Sequence, residues 1–253
     1  MLHVPNEALS RSLAYELTAK ERRKASRLIE ERVRTRRPLA YLVKEAWLGE
    51  HRFYVDERVI VPRSFIAELL HDGLSPWIRR PTEVRRALDL CTGSGCLAIL
   101  LALAFPDATV DATDVSRTAL AVARRNVRAY RLGGRVRLAR ADLFSGAQPG
   151  RYDLIVANPP YVDAAAMRSL PPEYRHEPRL ALSAGRDGLR FVRRILQSAA
   201  EFLRPRGLLL VEIGRNRRSL ERAFPRLPFI WPETSAGYDC VFLLSREDLQ
   251  ESL

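Results

Sequence analysis

The residues best suited to do chemistry lie in the segment Asn158-Pro159-Pro160-Tyr161, which directly follows a short apolar run at residues 153–157. Such a run is typical of a strand buried on both faces of a parallel sheet. Each proline fixes its own φ near about −65° and holds the preceding residue out of helical angles. The sequence therefore predicts a rigid, extended segment at the carboxyl end of a strand. We call residues 158–161 the NPPY segment.

The groups on the NPPY segment suit transfer of a methyl group to a planar amino nitrogen. Such a nitrogen is a poor nucleophile because its lone pair is delocalised. The side-chain oxygen of Asn158 and the carbonyl of Pro159 would accept hydrogen bonds from the two N–H groups of this nitrogen. These bonds would make its lone pair more available for attack. Tyr161 would stack on the planar group, and Pro160 would stiffen the segment that binds it. Catalysis would then rest on positioning and electrostatics. The alternative is a proline-rich turn that merely ends a strand.

A glycine-containing loop follows an earlier predicted strand, residues 84–90. The loop is Cys91-Thr92-Gly93-Ser94-Gly95, and an apolar helix is predicted after it, at residues 97–105. A strand, a glycine turn and a helix form the first unit of nucleotide-binding α/β folds. The loop lacks the third glycine of dinucleotide sites and the lysine of a P-loop, so the glycine pair alone is weak support.

Acidic residues follow the next two predicted strands. Asp114 comes after strand 108–112, about 20 residues past the glycine loop, where a carboxylate can hold both ribose hydroxyls. Asp142 and Leu143 follow strand 136–139, and they suit an adenine amino group and ring face. The alternatives are a helix-capping acid for Asp114 and a structural acid for Asp142. Because open α/β sheets bind ligands at the carboxyl ends of their strands, these residues should converge with the NPPY segment.

The elements that would position these residues suggest three parts: a helical segment (1–45), a β-hairpin linker (46–63) and the α/β domain (64–253). Within the first part, apolar residues recur at helical spacing over residues 6–45. Its many arginines form either an RNA-binding face or an ordinary solvated one. Ser64 is predicted to cap a helix at 65–79, and Arg63 is a candidate substrate contact or a surface charge. Later predictions are a lid at 163–184, helices at 187–203 and 216–224, and strands at 207–213, 228–233 and 240–245.

Composition narrows the setting in which the protein works. The chain has 253 residues and a formal net charge of +12, which favours an acidic or nucleic-acid-rich partner. The alternative is that the predominance of arginine over lysine reflects genome base composition rather than a partner. No apolar run reaches the roughly 20 residues of a membrane span. Three cysteines without metal-ligand spacing predict no metal and no disulfide framework, and they fit a reducing cytoplasm.

The chain resembles the class I S-adenosylmethionine-dependent methyltransferases, and within them the HemK-like protein-glutamine methyltransferases. The resemblance is carried by stretches spread over nearly the whole chain: Val61-Pro62-Arg63, Asp89 to Gly95, the NPPY segment, Glu177 to Leu182, Gly185 to Leu189 and Val211-Glu212-Ile213-Gly214. Cys91 and Cys96 beside the glycine loop, and the terminal run from Gly237 to Glu247, are similar to the ribosomal-protein branch, PrmB. The helical segment before the hairpin is shorter than is usual for the family.

The resemblance implies a mostly parallel, seven-stranded, Rossmann-like α/β sheet with S-adenosyl-L-methionine as cofactor. Carried over by position, Cys91 to Gly95 would lie along the methionine part of the cofactor. Asp114 would bind its ribose, and Asp142 and Leu143 would flank its adenine, with Asn158 close by. Asn158, Pro159, Pro160 and Tyr161 would hold the target amide.

The resemblance also implies a target. It would be a glutamine in a Gly-Gly-Gln context of the third large-subunit ribosomal protein, free or in an assembly intermediate, with rRNA contact through the basic surface. One alternative is the equivalent glutamine of peptide chain release factors. Another is an adenine amino group in nucleic acid, because both targets are planar amino nitrogens. A third is a non-enzymatic ribosome-binding protein, which the combination of glycine loop, Asp114 and NPPY segment disfavours.

Overall fold

The computed structural model describes residues 16–252, and it begins with helical structure. Helix α1, Ala19–Thr35, starts at Thr18, which forms a capping box with Glu21. It ends at Arg36, whose backbone is left-handed. None of the α1 side chains is buried. A short helix α2, Leu39–Val43, follows. The predicted helix at 6–45 is therefore two helices where it is described, and residues 6–15 lie outside the described residues.

A β-hairpin and an irregular linker join this helical part to the main domain. Strands β1, Ala46–Leu48, and β2, His51–Phe53, pair antiparallel around a turn at Gly49 and Glu50, which confirms the predicted hairpin. We call residues 54–64, which follow the hairpin, the linker; the predicted β-hairpin linker at 46–63 includes the hairpin as well. Its Tyr54 exchanges two backbone hydrogen bonds with the buried side chain of Asn126. The linker is therefore fixed to the main domain. The division at residues 45 and 63 stays a prediction.

The helix predicted at 65–79 is wrong in extent. Helix α3 spans only Ile66–His71. Gly73 and Leu74 directly beyond it have left-handed backbones, which a continuing helix does not allow. Ser64 makes no side-chain cap, because its hydroxyl donates instead to the carboxylate of Glu212, 2.7 Å away.

The central sheet contains six strands in the part of the chain that the structure describes. They are β3 (Arg86–Leu90), β4 (Thr109–Asp114), β5 (Val136–Arg140), β6 (Tyr152–Ala157), β7 (Leu203–Glu212) and β8 (Val241–Ser245). Their order across the sheet is β5-β4-β3-β6-β7-β8, and only β8 is antiparallel to its neighbour. The direction of winding reverses between β3 and β6, which is where open α/β sheets bind ligands.

A seventh strand at 228–233 is not formed. In that stretch Ile230 alone bridges to Leu243 of β8. Pro228 and Pro232 flank it, and because proline has no N–H, a continuous ladder cannot extend past either residue. The mostly parallel α/β architecture is confirmed, with six strands in place of seven.

Helices cover both faces of the sheet. The remaining helices are α4 (Cys96–Ala104), α5 (Arg117–Ala129), α6 (Ala166–Ser169), α7 (Arg190–Phe202), α8 (Arg217–Ala223) and α9 (Arg246–Ser252). Alternate residues of β6 serve two cores: Leu154 and Val156 pack on the α4 side, and Ile155 and Ala157 on the α7 side. Burial on both faces explains why these strands are apolar runs in the sequence.

The predicted lid is more ordered than a plain loop. We call residues 162–184 the lid, which is one residue longer than the lid predicted at 163–184. It contains α6 and single turns of 3-10 helix at Pro172–His176 and Arg179–Ala181. Its two ends are tied together, because Val162 exchanges backbone hydrogen bonds with Leu182 and Ala184. The segment is therefore a closed loop with its own internal structure.

Candidate active site

The predicted site residues converge at the carboxyl ends of β3, β4, β5 and β6. The glycine loop follows β3, Asp114 ends β4, and Asp142 follows β5. The NPPY segment follows β6, beside the point where the winding reverses. The fold therefore brings together segments that are up to about 70 residues apart in the chain, at the position where such sheets bind ligands.

Two cavities meet at the NPPY segment. We call the first the Asp114 cavity, after the carboxylate in its wall, and the second the Tyr161 cavity. Pro160 lines the first and Pro159 the second. Asn158 lines both, as do Ile60 of the linker and Ala181 of the lid. Asn158 is therefore placed to contact a molecule in either cavity.

The side-chain amide of Asn158 has no hydrogen-bond partner among residues 16–252, although the residue is half-buried. Pro159 and Pro160 beside it are buried. A half-buried amide normally finds a partner in protein or water, so its donor and acceptor are available to a ligand. The side chain of Asn158 can therefore meet a ligand, while its catalytic role stays a prediction.

The Asp114 cavity has mainly apolar walls, and the carboxylates of Asp114 and Asp142 are among the lining groups. Its lining comes from the linker, the ends of β3 to β6, and the lid: Arg58, Val59, Ile60, Cys91, Gly93, Asp114, Val115, Ser116, Ala119, Ala141, Asp142, Leu143, Asn158, Pro160, Pro178, Leu180, Ala181 and Phe191. Of the predicted cofactor residues, Cys91, Gly93, Asp114, Asp142, Leu143 and Asn158 lie in this wall. The predicted linker and lid both contribute to this wall, while sequence reasoning missed the individual residues that they supply and also missed Phe191.

Asp114 is held by backbone donors. Its carboxylate accepts N–H bonds from Gly93 at 2.9 Å and from Ser116 at 2.8 Å. Burial raises its pKa, and these two bonds oppose that rise. A carboxylate has about four acceptor positions, so positions remain for a ligand's hydroxyl groups.

Two residues of this wall have a strained backbone. Cys91 and Leu143 have φ values of 59° and 52°, in the left-handed region that side chains other than glycine rarely adopt. Such residues concentrate at ligand sites, where the surrounding structure holds them in place. Asp142, next to Leu143, is exposed and forms a bidentate ion pair with Arg194 at 3.0 and 2.9 Å.

The other residues of the glycine loop build the loop rather than the cavity wall. Thr92 donates its hydroxyl to Asp89 at 2.5 Å, and Ser94 is buried. Gly95 packs against Ala123, which an added Cβ would approach to 3.1 Å. Burial raises the pKa of Asp89 to about 7. The predicted contacts of Thr92, Ser94 and Gly95 with the cofactor stay predictions, since the three do not line the Asp114 cavity.

The Tyr161 cavity lies on the other side of Asn158, and Tyr161 itself is tightly fixed. Its ring packs against Gly214, where an added Cβ would lie 2.7 Å from a ring carbon. Its hydroxyl lies 3.5 Å from the buried carboxylate of Glu212, and its carbonyl accepts a bond from Asn216 at 2.8 Å. Burial, with the nearby Glu212, raises the pKa of Tyr161, so the phenol is neutral at ordinary pH.

Arg63, a candidate from the sequence, also lines the Tyr161 cavity. Its guanidinium donates to both oxygens of Glu177, at 2.7 and 2.5 Å, and lies 4.9 Å from the centre of the Tyr174 ring. The Arg63–Glu177 pair was not predicted. The signal available in the sequence was that both residues lie in stretches that carry the family resemblance.

Within residues 16–252 no group of histidine, cysteine or acidic side chains has an arrangement that could hold a metal ion. No helix in the same part of the chain is long and apolar enough to cross a membrane.

Comparisons with known proteins agree with this geometry. The family model described as "Methyltransferase small domain" matches residues 69–170. A ribosomal protein uL3 glutamine methyltransferase of Neisseria meningitidis is 56% identical over 248 residues, covering 98% of this chain and 82% of that protein. One from Bordetella pertussis is 54% identical over 248 residues, covering 98% and 83%.

Solved structures with a similar fold are methyltransferases. The catalytic domain of human METTL16 bound to an RNA hairpin has a TM-score of 0.57 at 18% identity, covering 76% of this chain and 74% of that one. A methyltransferase from Pyrococcus furiosus has a TM-score of 0.54 at 18% identity, covering 88% and 98%. At these identities the likeness establishes the fold alone, which is that of the class I methyltransferases.

Proposed function

The chain belongs to the family of ribosomal protein uL3 glutamine methyltransferases, and we propose that it methylates the side-chain amide nitrogen of a glutamine in ribosomal protein uL3. The methyl donor is S-adenosylmethionine. The target would be the Gly-Gly-Gln glutamine expected from the sequence. The observation that carries the proposal is the amide of Asn158, which has no hydrogen-bond partner within residues 16–252 and lies between two cavities, one suited to a nucleoside and one to a flat side chain.

The Asp114 cavity fits S-adenosylmethionine by the chemistry of its walls. Asp114 has free acceptor positions for a pair of ribose hydroxyls. Leu143, Pro160 and Phe191 supply apolar surface for a purine ring, and Asp142, which is paired with Arg194, supplies a carboxylate in the same wall. When bound, S-adenosylmethionine supplies an activated methyl group and leaves as a neutral thioether.

The NPPY segment would bind and orient the target amide in the Tyr161 cavity. The side-chain oxygen of Asn158 and the carbonyl of Pro159 accept hydrogen bonds from the two N–H groups of the target amide. These bonds make the lone pair of the amide nitrogen more available for attack. The Tyr161 ring, fixed by Gly214 and Glu212, stacks on the amide plane. As the nitrogen gains positive charge, hydrogen bonds to these oxygens strengthen, so the same contacts bind the transition state better than the ground state. The methylated nitrogen then loses one of its two protons to solvent, which gives the neutral N-methyl amide.

The test is to incubate the purified protein with labelled S-adenosylmethionine and purified uL3, then to map the label by peptide mass analysis. We expect one methyl group on one glutamine, and none on a uL3 variant in which that glutamine is glutamate. A peptide chain release factor and an adenine-containing RNA serve as competing substrates. Faster methylation of either of these would overturn the proposal.

We further propose that the protein acts in the cytoplasm on uL3 that is free or entering an assembling ribosome. Support comes from the net charge of +12 and from exposed basic residues along α1: Arg22, Arg23, Lys24 and Arg27. Contact with rRNA would make methylation of an rRNA–uL3 complex fall steeply with salt, while methylation of free uL3 would change little. Equal salt dependence for both substrates would contradict the rRNA contact.

A further inference from the structure

The two cavities share a roof made of the linker and the lid. The linker contributes Ile60 to both cavities, and the lid contributes Ala181 to both. The lid residue Pro178 lines the Asp114 cavity, and the lid residue Tyr174 lines the Tyr161 cavity. Any change in how the lid meets the linker would therefore alter both cavities at once.

Glu177, which lies between Tyr174 and Pro178, joins the lid to the linker. Its side chain is only 3% exposed. It accepts hydrogen bonds from both terminal guanidinium nitrogens of Arg63, and one of its oxygens lies 3.3 Å from the backbone nitrogen of Val61. These partners are 114 and 116 residues away in the chain. A buried carboxylate with three donors from one linker fixes the distance between the two segments.

We propose that the Arg63–Glu177 pair is a positioning pair that clasps the lid to the linker and thereby shapes the donor and acceptor sites together. This inference rests on the proposed function for the identity of the acceptor. The alternative is that Arg63 contacts the substrate directly. Against that alternative, both oxygens of Glu177 already occupy the guanidinium edge, and the Tyr174 ring lies close to the same group.

A second attachment would hold the lid if the Arg63–Glu177 pair, which we call the clasp, were broken. Glu173 of the lid is paired with Arg32 at 3.0 Å and with Arg36 at 2.7 Å, at the end of α1. His176 lies 3.0 Å from the carbonyl of Thr35 in the same region. Loss of the Arg63–Glu177 pair should therefore shift the lid rather than unfold it.

The test compares Glu177→Gln, Arg63→Lys and the double variant with the unmodified protein. Lysine keeps the charge but cannot form the planar, two-pronged pair, so we expect it to fail as a substitute. Each single variant should lower kcat/KM for uL3 by about tenfold or more, because small displacements of a binding wall are costly. Each should also weaken S-adenosylhomocysteine binding and speed hydrogen exchange in residues 162–184. The double variant should be no worse than the poorer single variant.

Arg193→Met is the matched control. Arg193 forms a similar bidentate pair with Asp187 at 3.0 and 2.6 Å, but both partners lie outside the linker and the lid. It should leave all three measurements unchanged. A drop in uL3 kcat/KM for Arg63→Lys alone, with Glu177→Gln unaffected, would overturn the clasp and favour a direct contact. Faster exchange throughout the chain with unchanged kcat/KM would reduce the pair to a structural role.

The same experiment separates failure of the clasp from failure of the proposed function. If the unmodified protein does not methylate uL3, the proposed function fails. Binding of S-adenosylhomocysteine and hydrogen exchange of the lid still test the clasp in that case. If both quantities are the same in Glu177→Gln as in the unmodified protein, the clasp is refuted whatever the substrate is.

Discussion

Replacing Asn158 by alanine is the most direct perturbation of the proposed chemistry. The change removes the one side-chain amide that lines both cavities. Because that amide makes no hydrogen bond within residues 16–252, its loss breaks no internal contact of this kind. The free energy of unfolding should therefore change by less than about 1 kcal/mol, so any loss of activity can be read as chemistry.

The expected magnitude follows from the charge that develops during the reaction. A hydrogen bond to a charged group contributes about 1.5–3 kcal/mol, compared with about 0.5–1.5 kcal/mol for a neutral one. The amide nitrogen becomes positive only as the methyl group arrives, so the larger range applies to the transition state. At about 1.36 kcal/mol for each factor of ten, kcat/KM for uL3 should fall about 10- to 150-fold, and kcat should fall by the smaller part that exceeds the neutral bond of the ground state. Donor binding should weaken by less than about tenfold.

The assay combines single-turnover methylation of uL3 with calorimetric titration of S-adenosylhomocysteine. Asn158→Asp is the matched variant, because it keeps an oxygen acceptor at the same position and adds a negative charge beside the developing positive nitrogen. It should retain more activity than Asn158→Ala. The reasoning is refuted if Asn158→Ala keeps kcat within about threefold while donor binding collapses, since Asn158 would then be a cofactor residue only.

Three further predictions concern Asp114, Gly214 and Asp89, which line or support the site. Asp114→Asn should weaken S-adenosylhomocysteine binding by about 1.5–3 kcal/mol in calorimetry, and an unchanged dissociation constant would exclude the ribose role. Gly214→Ala should lower kcat/KM for uL3, because the new Cβ displaces the Tyr161 ring; Gly49→Ala has the same left-handed φ and no neighbour within 4 Å, so it should affect stability alone. Burial raises the pKa of Asp89 from 3.8 to about 7, so the folded protein keeps a proton that the unfolded chain has lost. The free energy of unfolding should therefore fall as pH rises from about 4 to about 7. Asp89→Asn lacks this titration. In urea unfolding, its free energy of unfolding should therefore rise relative to that of the unmodified protein by up to about 4 kcal/mol across that window. Parallel pH profiles for the two proteins would contradict this assignment.

The strand ends of the site could be predicted because their signals are local. The NPPY segment and Asp114 each follow a buried strand, and a buried parallel strand is visible as an apolar run. Ser116, two residues after Asp114, has the side chain of a helix cap, and its hydroxyl accepts the N–H of Ala119 at the start of α5. Each of these inferences needs only a few neighbouring residues.

The errors come from local signals that compete with each other. Residues 228–233 have the apolar and aromatic content of a strand, but Pro228 and Pro232 remove the donors that a ladder needs. Ser64 has the side chain of a helix cap, but its hydroxyl bonds to Glu212, which is 148 residues away. Propensity predicts what a segment can form alone, and tertiary contacts decide between the options.

The lid could be predicted, but the residues that form the roof of the site could not, because their contacts are distant in the chain. Ile60 and Ala181 are ordinary apolar residues in irregular segments, and nothing about their types indicates a cavity wall. Asn126 is similar: this buried helix residue holds Tyr54 of the linker and the carbonyl of Ser94 in the glycine loop. Such residues acquire their positions only when the linker and the lid fold over the sheet.

The strong positive charge of the chain raises a question of compatibility with the proposed reaction, which moves a positive charge from sulfur to nitrogen. At an effective dielectric constant of about 20, an unpaired guanidinium about 5 Å away would oppose such a charge by about 3 kcal/mol. Arginines do line the cavities, but Arg58 forms a bidentate pair with buried Asp56, and Arg63 forms one with buried Glu177.

Pairing lets the protein keep a basic surface without a basic active site. Arg215 also lines the Tyr161 cavity, but it is exposed, so water screens its charge. The two buried acids neutralise Arg58 and Arg63 in the roof, and exposed basic residues of α1 such as Arg22, Arg23 and Arg27 can meet an acidic partner. The Arg63–Glu177 pair would then have two effects with one pair of charges: it holds the roof together, and it keeps the acceptor side of the site electrically neutral.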